Sequence, residues 1–178
     1  MSLPPFDRVV ALHGATVYRV CRAVVGPELA EDAWSDTFLA ALHAYPELPV
    51  DTNFEAWLVT VAHRKALDQG RAARRRPVPV AEIADGAAVL GTPPPAPDAL
   101  PGASADAVWA ALRELPLKQR QTVAYHHLVG MPYAEIAALI GGTPEAARRA
   151  AADGIAALRR VTPAPTQLPH TSERSESA

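Results

Sequence analysis

Thr143, Pro144 and Glu145, followed at once by the cations Arg148 and Arg149, have the types and spacing to start a helix and lay positive charge along it. Thr143 can accept a hydrogen bond from an orphan N–H of the first turn, Pro144 suits the first helical position, and Glu145 favours the positive end of the helix dipole. Beyond them Ala147, Ala151, Ile155 and Leu158 recur at spacings of four, four and three, which defines one buried stripe and leaves both arginines off it. Before them lie a short apolar-periodic segment, Tyr133 to Ile140, and the turn-forming pair Gly141 and Gly142. This is the residue order of a helix-turn-helix, and its chemistry is attraction for an anionic duplex. The same pattern also fits a helical hairpin whose arginines are simply solvated.

Charge elsewhere is segregated. Residues 1 to 60 hold 3 Lys/Arg against 8 Asp/Glu, residues 61 to 80 hold 6 against 1, and residues 81 to 103 hold three acids and no base. From 104 to 161 there are 7 basic and 5 acidic side chains, so the net charge of −2 conceals two basic modules. Bond-making chemistry has no such support. His126 and His127 are adjacent and point to different faces of a helix, and no Cys, Asp or Glu at ligand spacing completes a metal site. There is no phosphate-cradling glycine loop and no nucleophile paired with a base. No catalytic residue, metal or cofactor is expected, and the chain does not read as an enzyme.

The elements that must position these residues are all helical. Periodicity predicts helices over roughly 5–25, 28–45 and 53–76, with Asn53 a plausible cap for the third. Val9, Val10, Val17, Val20, Cys21 and Val24 mark the apolar stripe of the first. Ala33, Trp34, Thr37, Phe38, Ala41 and Leu42 mark the second, and Phe54, Trp57, Leu58, Val61, Ala62 and Leu67 the third. Prolines and small residues from Pro77 to Gly102 read as an extended linker. Two further helices, 105–115 and 118–128, precede the hairpin. The expected fold class is all-α: a helical domain at 4–76, a flexible acidic linker at 77–103, a helix-turn-helix domain at 104–161 and a disordered tail at 162–178. Cys21 is the single cysteine, no apolar run is long enough to span a bilayer, and MSLPPFDR lacks the features of a signal peptide. A cytoplasmic protein with no membrane insertion is expected.

Two sets of segments together resemble the small bacterial RNA polymerase sigma factors of the extracytoplasmic-function type. The first set is Ala30 through Ala41, reading AEDAWSDTFLAA, and Phe54-Glu55-Ala56-Trp57-Leu58 followed by Ala62 to Asp68. The second is Leu112 to Pro116, Lys118 to Gln121, and Tyr133-Ala134-Glu135-Ile136-Ala137. The match covers both domains in order and at family-like spacing.

The resemblance implies that the second helix docks on core RNA polymerase through Glu31, Asp32, Ser35 and Asp36, with Phe38 and Leu42 holding it to its own domain. It implies that the third helix contacts the proximal promoter element through His63, Arg64, Lys65, Arg71, Arg74 and Arg75, and traps an unstacked base without any chemical step. Trp57 invites a stacking role, although its period with Phe54, Leu58 and Val61 favours the core. The C-terminal module would read the distal element with Arg148 and Arg149, Thr143 and Glu145 standing near the entering end of the helix. Lys118, Arg120 and residues 123–128 would pack beneath it or touch the polymerase. An anti-sigma factor is a further potential partner.

Several positions depart from the family pattern. Arg64 stands where Asn is frequent, Ser35 where Gln is usual, Gly142 where an apolar residue is common, and Ala150, Ala151, Ala152 and Asp153 where polar or basic residues are usual. The rival readings are a helix-turn-helix regulator acting alone and a sigma-like protein that binds polymerase or a partner without reading promoters. Tight duplex binding without polymerase would favour the first, and the alanine-rich recognition helix motivates the second.

Overall fold

The computed structural model describes residues 3–75 and 105–161. The expectations for the linker at 77–103 and the tail at 162–178 lie outside the described residues. Within them the chain forms α1 (Phe6–Val25), α2 (Pro27–Ala44), a 3-10 turn (Tyr45–Glu47) and α3 (Phe54–Arg75). In the second described stretch come α4 (Ala105–Arg113), α5 (Leu117–Val123), a π-helical turn (Ala124–Val129), α6 (Tyr133–Ile140) and α7 (Pro144–Val161). No strand occurs among the described residues.

The first three helices pack on one another because each carries an apolar stripe too wide to leave in water. Val17 and Val20 of α1, Trp34 and Phe38 of α2, and Leu58 and Ala62 of α3 are essentially removed from solvent. The Trp34 indole donates a 2.9 Å hydrogen bond to the Gly14 carbonyl, which satisfies its buried N–H. Edge-on contacts link Phe6 to Phe38 and Tyr45, and Tyr45 stacks on Phe54, which closes the end of the bundle. Between α1 and α2 the chain reverses at Gly26 with φ 83°, a conformation that favours glycine, and Pro27 opens the next helix. Asn53 caps α3 as its sequence suggests: its side-chain oxygen accepts from the Ala56 N–H at 3.2 Å.

Leu42 corrects the sequence reading. Its spacing places it on the apolar stripe of α2, yet it is 42% exposed while Phe38 and Ala41 are fully buried. At about 100° per residue, Leu42 falls about 100° from Ala41 and on the same face as Glu31 and Ser35.

In the C-terminal half, Leu112, Val123, Ile136, Ala147 and Ala151 form the core. α7 lies so close to α5 that a Cβ on Gly154 would meet Val123 Cγ2 at 2.7 Å. The predicted helix over 118–128 is present, but its last turn is widened. There the Tyr125 carbonyl accepts from the N–H groups of both Gly130 and Met131, and the turn ends at Gly130 with φ 84°.

The two helical units do not hang apart. Their buried residues join in one apolar cluster, in which α1 packs against α5 and the π turn. The Arg22 guanidinium lies 4.7 Å from the Trp109 ring centroid, and Tyr125, fully buried, shares a 2.8 Å hydrogen bond with His63 Nδ1 of α3. Arg113 and Glu28 add an ion pair at 3.3 Å whose exposure makes it a minor contributor.

Candidate nucleic-acid interface

The helix-turn-helix is built as its residues dictate. Gly141 and Gly142 adopt φ values of 83° and 116°, which turn the chain sharply between α6 and α7. Thr143 Oγ1 accepts from the Ala146 N–H at 3.2 Å. Backbone hydrogen bonding, and then the Thr143 hydroxyl, hold the Glu145 carboxyl below the usual carboxylate range, so an anion sits at the positive end of α7. Arg148 and Arg149 are exposed, and the Arg148 guanidinium lies 5.5 Å from the Tyr133 ring centroid. That contact reaches from α7 to α6 and restricts where Arg148 can point. Ala147 and Ala151 face the core with Ile155 and Leu158 partly buried behind them, so Ala151 belongs to the packing stripe rather than to the outer face. Ala152 and Asp153 are exposed there.

α3 supplies the second basic surface. Arg64, Asp68, Arg71 and Arg75 share one helical face, Arg71 bonding Asp68 at 3.2 Å across one turn. Arg74 and Arg75 close the helix at its negative dipole end. Arg64, Arg71, Arg74 and Arg75 are exposed and Lys65 is half-buried. His63 stands apart from this group. It is 5% exposed and turned into the contact with Tyr125, where burial, and secondarily the Arg64 charge, lower its pKa from 6.5. In this arrangement its ring is turned toward the second domain, although it lines the same cleft as Arg64 and Arg71. Trp57 is partly buried against the core.

On α2, Glu31 and Asp32 are exposed and Ser35 and Asp36 half-buried. Asp36 is turned toward α3, where it accepts a hydrogen bond from Gln69 Nε2. Leu39 and Leu42, 43% and 42% exposed, share the Glu31–Ser35 face and complete an acid-and-leucine stripe. Sequence reasoning did not assign these leucines to a surface. It also missed Tyr125, for which a lone aromatic in an apolar helix gives no distinguishing signal. His126 donates from Nδ1 to the Met131 carbonyl at 2.9 Å and stacks on Tyr133. No group of three or more His, Cys, Asp or Glu able to hold a metal occurs among the described residues. No described helix is long and apolar enough to cross a membrane.

An exposed acidic helix, a basic helix beside it and a separate capped helix-turn-helix define a bipartite DNA-binding transcription factor. Residues 9–76 match Sigma-70 region 2, and residues 105–158 match Sigma-70, region 4. The chain is 30% identical over 146 residues to the RNA polymerase sigma factor CnrH of Cupriavidus metallidurans, covering 76% of this chain and 75% of that protein. It is 31% identical over 161 residues to the ECF RNA polymerase sigma factor BldN of Streptomyces coelicolor, covering 89% of this chain and 60% of the length of BldN. The structure of CnrH in complex with the cytosolic domain of CnrY superimposes with a TM-score of 0.59 at 25% identity, covering 88% of this chain and 86% of that one. The sigma factor RpoE in complex with the anti-sigma factor NepR, from Bartonella quintana, shares the fold, with a TM-score of 0.66 at 18% identity and coverage of 88% and 95%. The chain belongs to the RNA polymerase sigma factors of the extracytoplasmic-function type.

Proposed function

We propose that this chain docks on core RNA polymerase through the α2 face of Glu31, Asp32, Ser35, Leu39 and Leu42 and carries the enzyme to promoters. α3 then holds the opened proximal element through Arg64, Lys65, Arg71, Arg74 and Arg75, while α7 enters the distal element with Arg148 and Arg149. It acts in the cytoplasm and makes or breaks no bond itself; binding free energy favours the open strand. The observation that carries this reading is the pairing, in one chain, of an exposed acid-and-leucine stripe with two separate basic helices. Asp36 acts as a brace between α2 and α3 rather than as a direct contact.

The domains must separate for this work. Arg64 and Arg71 face Glu135 and Leu139 of α6 across a cleft of about 630 Å³, a volume suited to a small molecule and far too narrow for a duplex. A closed, partner-held form is therefore part of the reading. The complex of CnrH with the cytosolic domain of CnrY supports a second protein partner that binds the chain itself, the role an anti-sigma factor would fill.

The test is reconstitution with core polymerase and transcription from genomic DNA. Discrete start sites that depend on the chain are expected. A protein that neither copurifies with core nor yields such starts would sink the proposal, and tight duplex binding without core would favour a free-standing regulator.

A further inference from the structure

A second cavity, of about 470 Å³, lies where the end of α1 and start of α2 meet the last turns of α3 and the α4–α5 corner. Four guanidiniums line it: Arg71 and Arg74 from α3, Arg113 from α4 and Arg120 from α5. Glu28 is the one acid in the lining, and its carboxylate is engaged by Arg113. The rest of the wall is apolar or small. Arg120 Nε is shut off from solvent and has no hydrogen-bond partner among the described residues. A buried charged donor in that state is costly unless something accepts from it. Burial, and then the neighbouring Arg113 charge, push the Arg120 guanidinium below its ordinary pKa.

We propose that this interdomain cavity binds a diphosphate-bearing small molecule, its phosphates held by Arg71, Arg74, Arg113 and Arg120. Guanidiniums present paired donors that match phosphate oxygens, and four of them carry more positive charge than the roughly −2 of a single phosphate group balances. The volume falls within the range of small-molecule sites, and the apolar wall suits the body of a nucleotide-sized ligand. Because the lining comes from both domains, the ligand binds the closed arrangement and favours it over the separated one. The cavity stands on its own residues and does not depend on which promoter the chain reads.

The experiment is thermal unfolding and calorimetric titration of the full chain with inorganic pyrophosphate, against sodium chloride at matched ionic strength. A saturable rise in Tm with pyrophosphate and none with chloride is expected. R113Q, at a half-exposed position that leaves the core intact, should weaken pyrophosphate binding by about fivefold or more, and R113Q/R120Q should abolish it. A parallel titration with a short DNA duplex separates a small ligand from backbone phosphate: R113Q should leave duplex affinity within about twofold. No saturable shift, a shift unchanged in R113Q, or equal loss of pyrophosphate and duplex binding in R113Q would each overturn the proposal.

Discussion

Removing one oxygen, Tyr125→Phe, tests whether the buried bond to His63 holds the two domains together. The phenylalanine ring fills the same space, so the apolar packing of Tyr125, fully buried, is kept. What is lost is the 2.8 Å bond, and His63 Nδ1 is left without that partner in a site only 5% exposed. Orphaning a buried polar group costs about 1–3 kcal/mol, more than the net worth of an average hydrogen bond at about 1 kcal/mol. That cost falls on the closed form alone, because in the separated form water replaces the hydroxyl. The closed-to-open ratio should therefore fall by roughly 5- to 150-fold. Dyes on cysteines introduced at Val50 and Ala156, both exposed, report domain separation, and the native Cys21 is fully buried, with burial pushing its thiol up to about 12. The expected result is a larger low-transfer population in Y125F. Duplex affinity should rise with it, since apparent affinity scales with the competent fraction. An unchanged transfer distribution with unchanged duplex affinity would refute the argument that this bond governs closure.

Acidification should act on the same contact. His63 is held below 6.5 in the closed form, so the open form binds more protons; closure is fully supported above about pH 6.5 and weakens as pH falls through the depressed value, which transfer measurements across that range would show. His127, lowered chiefly by burial, has the same sign, and an H63Q chain whose pH response matched wild type would remove His63 as the cause. L39E/L42E should reduce affinity for core polymerase at least about tenfold in a pull-down titration while leaving folding within about 0.5 kcal/mol, because both leucines lie at the surface. Unaltered core binding would mean that this stripe is not the docking face. R148E/R149E should abolish distal-element dependence and flatten the salt dependence of duplex binding by about one to two units of slope, with core binding retained. G154A should lower stability by about 1 kcal/mol in denaturant melts. The new methyl meets Val123 Cγ2 at 2.7 Å, and overpacking at about 1–3 kcal/mol outweighs the helix-propensity gain of about 1 kcal/mol; V123A should rescue it.

Local chemistry made the helices and their starts readable. Asn53 and Thr143 cap helices at the positions their residue types suggest, and Gly141 and Gly142 turn where glycine is needed. Periodicity failed where a residue sits at the margin of a stripe: Leu42 follows the buried Ala41 and reads as core, although one step of a helix carries it to the outer face. The docking of the two domains was not legible from Tyr125, but α1 holds a trace of it. Its buried positions, from Ala23 through Val9 and Val20 to Gly14, sweep about 180° of the helix, far wider than the roughly 100° stripe that one covering surface requires. Gly14 meets Trp34 at one margin. At the other, fully buried Ala23 lies beside Arg19 and Arg22, which reach the Leu128 carbonyl and the Trp109 ring. A helix apolar over half its circumference is covered twice.

The alanine content of α7 gains a physical sense from the same packing. Ala147, Ala151 and Gly154 bring the helix close to α5, and Ala152 and Ala156 lie exposed between the pair Arg148–Arg149 and the pair Arg159–Arg160. Eleven residues of helix separate Arg148 from Arg159, about 16 Å at 1.5 Å per residue, whereas the major groove is about 12 Å wide. A helix of this build laid across the groove puts one arginine pair within reach of base edges and the other on the phosphate rim, with small methyl groups on the floor between them. Methyl groups read thymine by contact but donate nothing, so on the proposed docking base discrimination would rest on Arg148, Arg149 and the support of Arg148 by Tyr133. The remaining cations set register and affinity. On the same proposal, fewer base-reading side chains would leave α3 to supply more of the promoter choice.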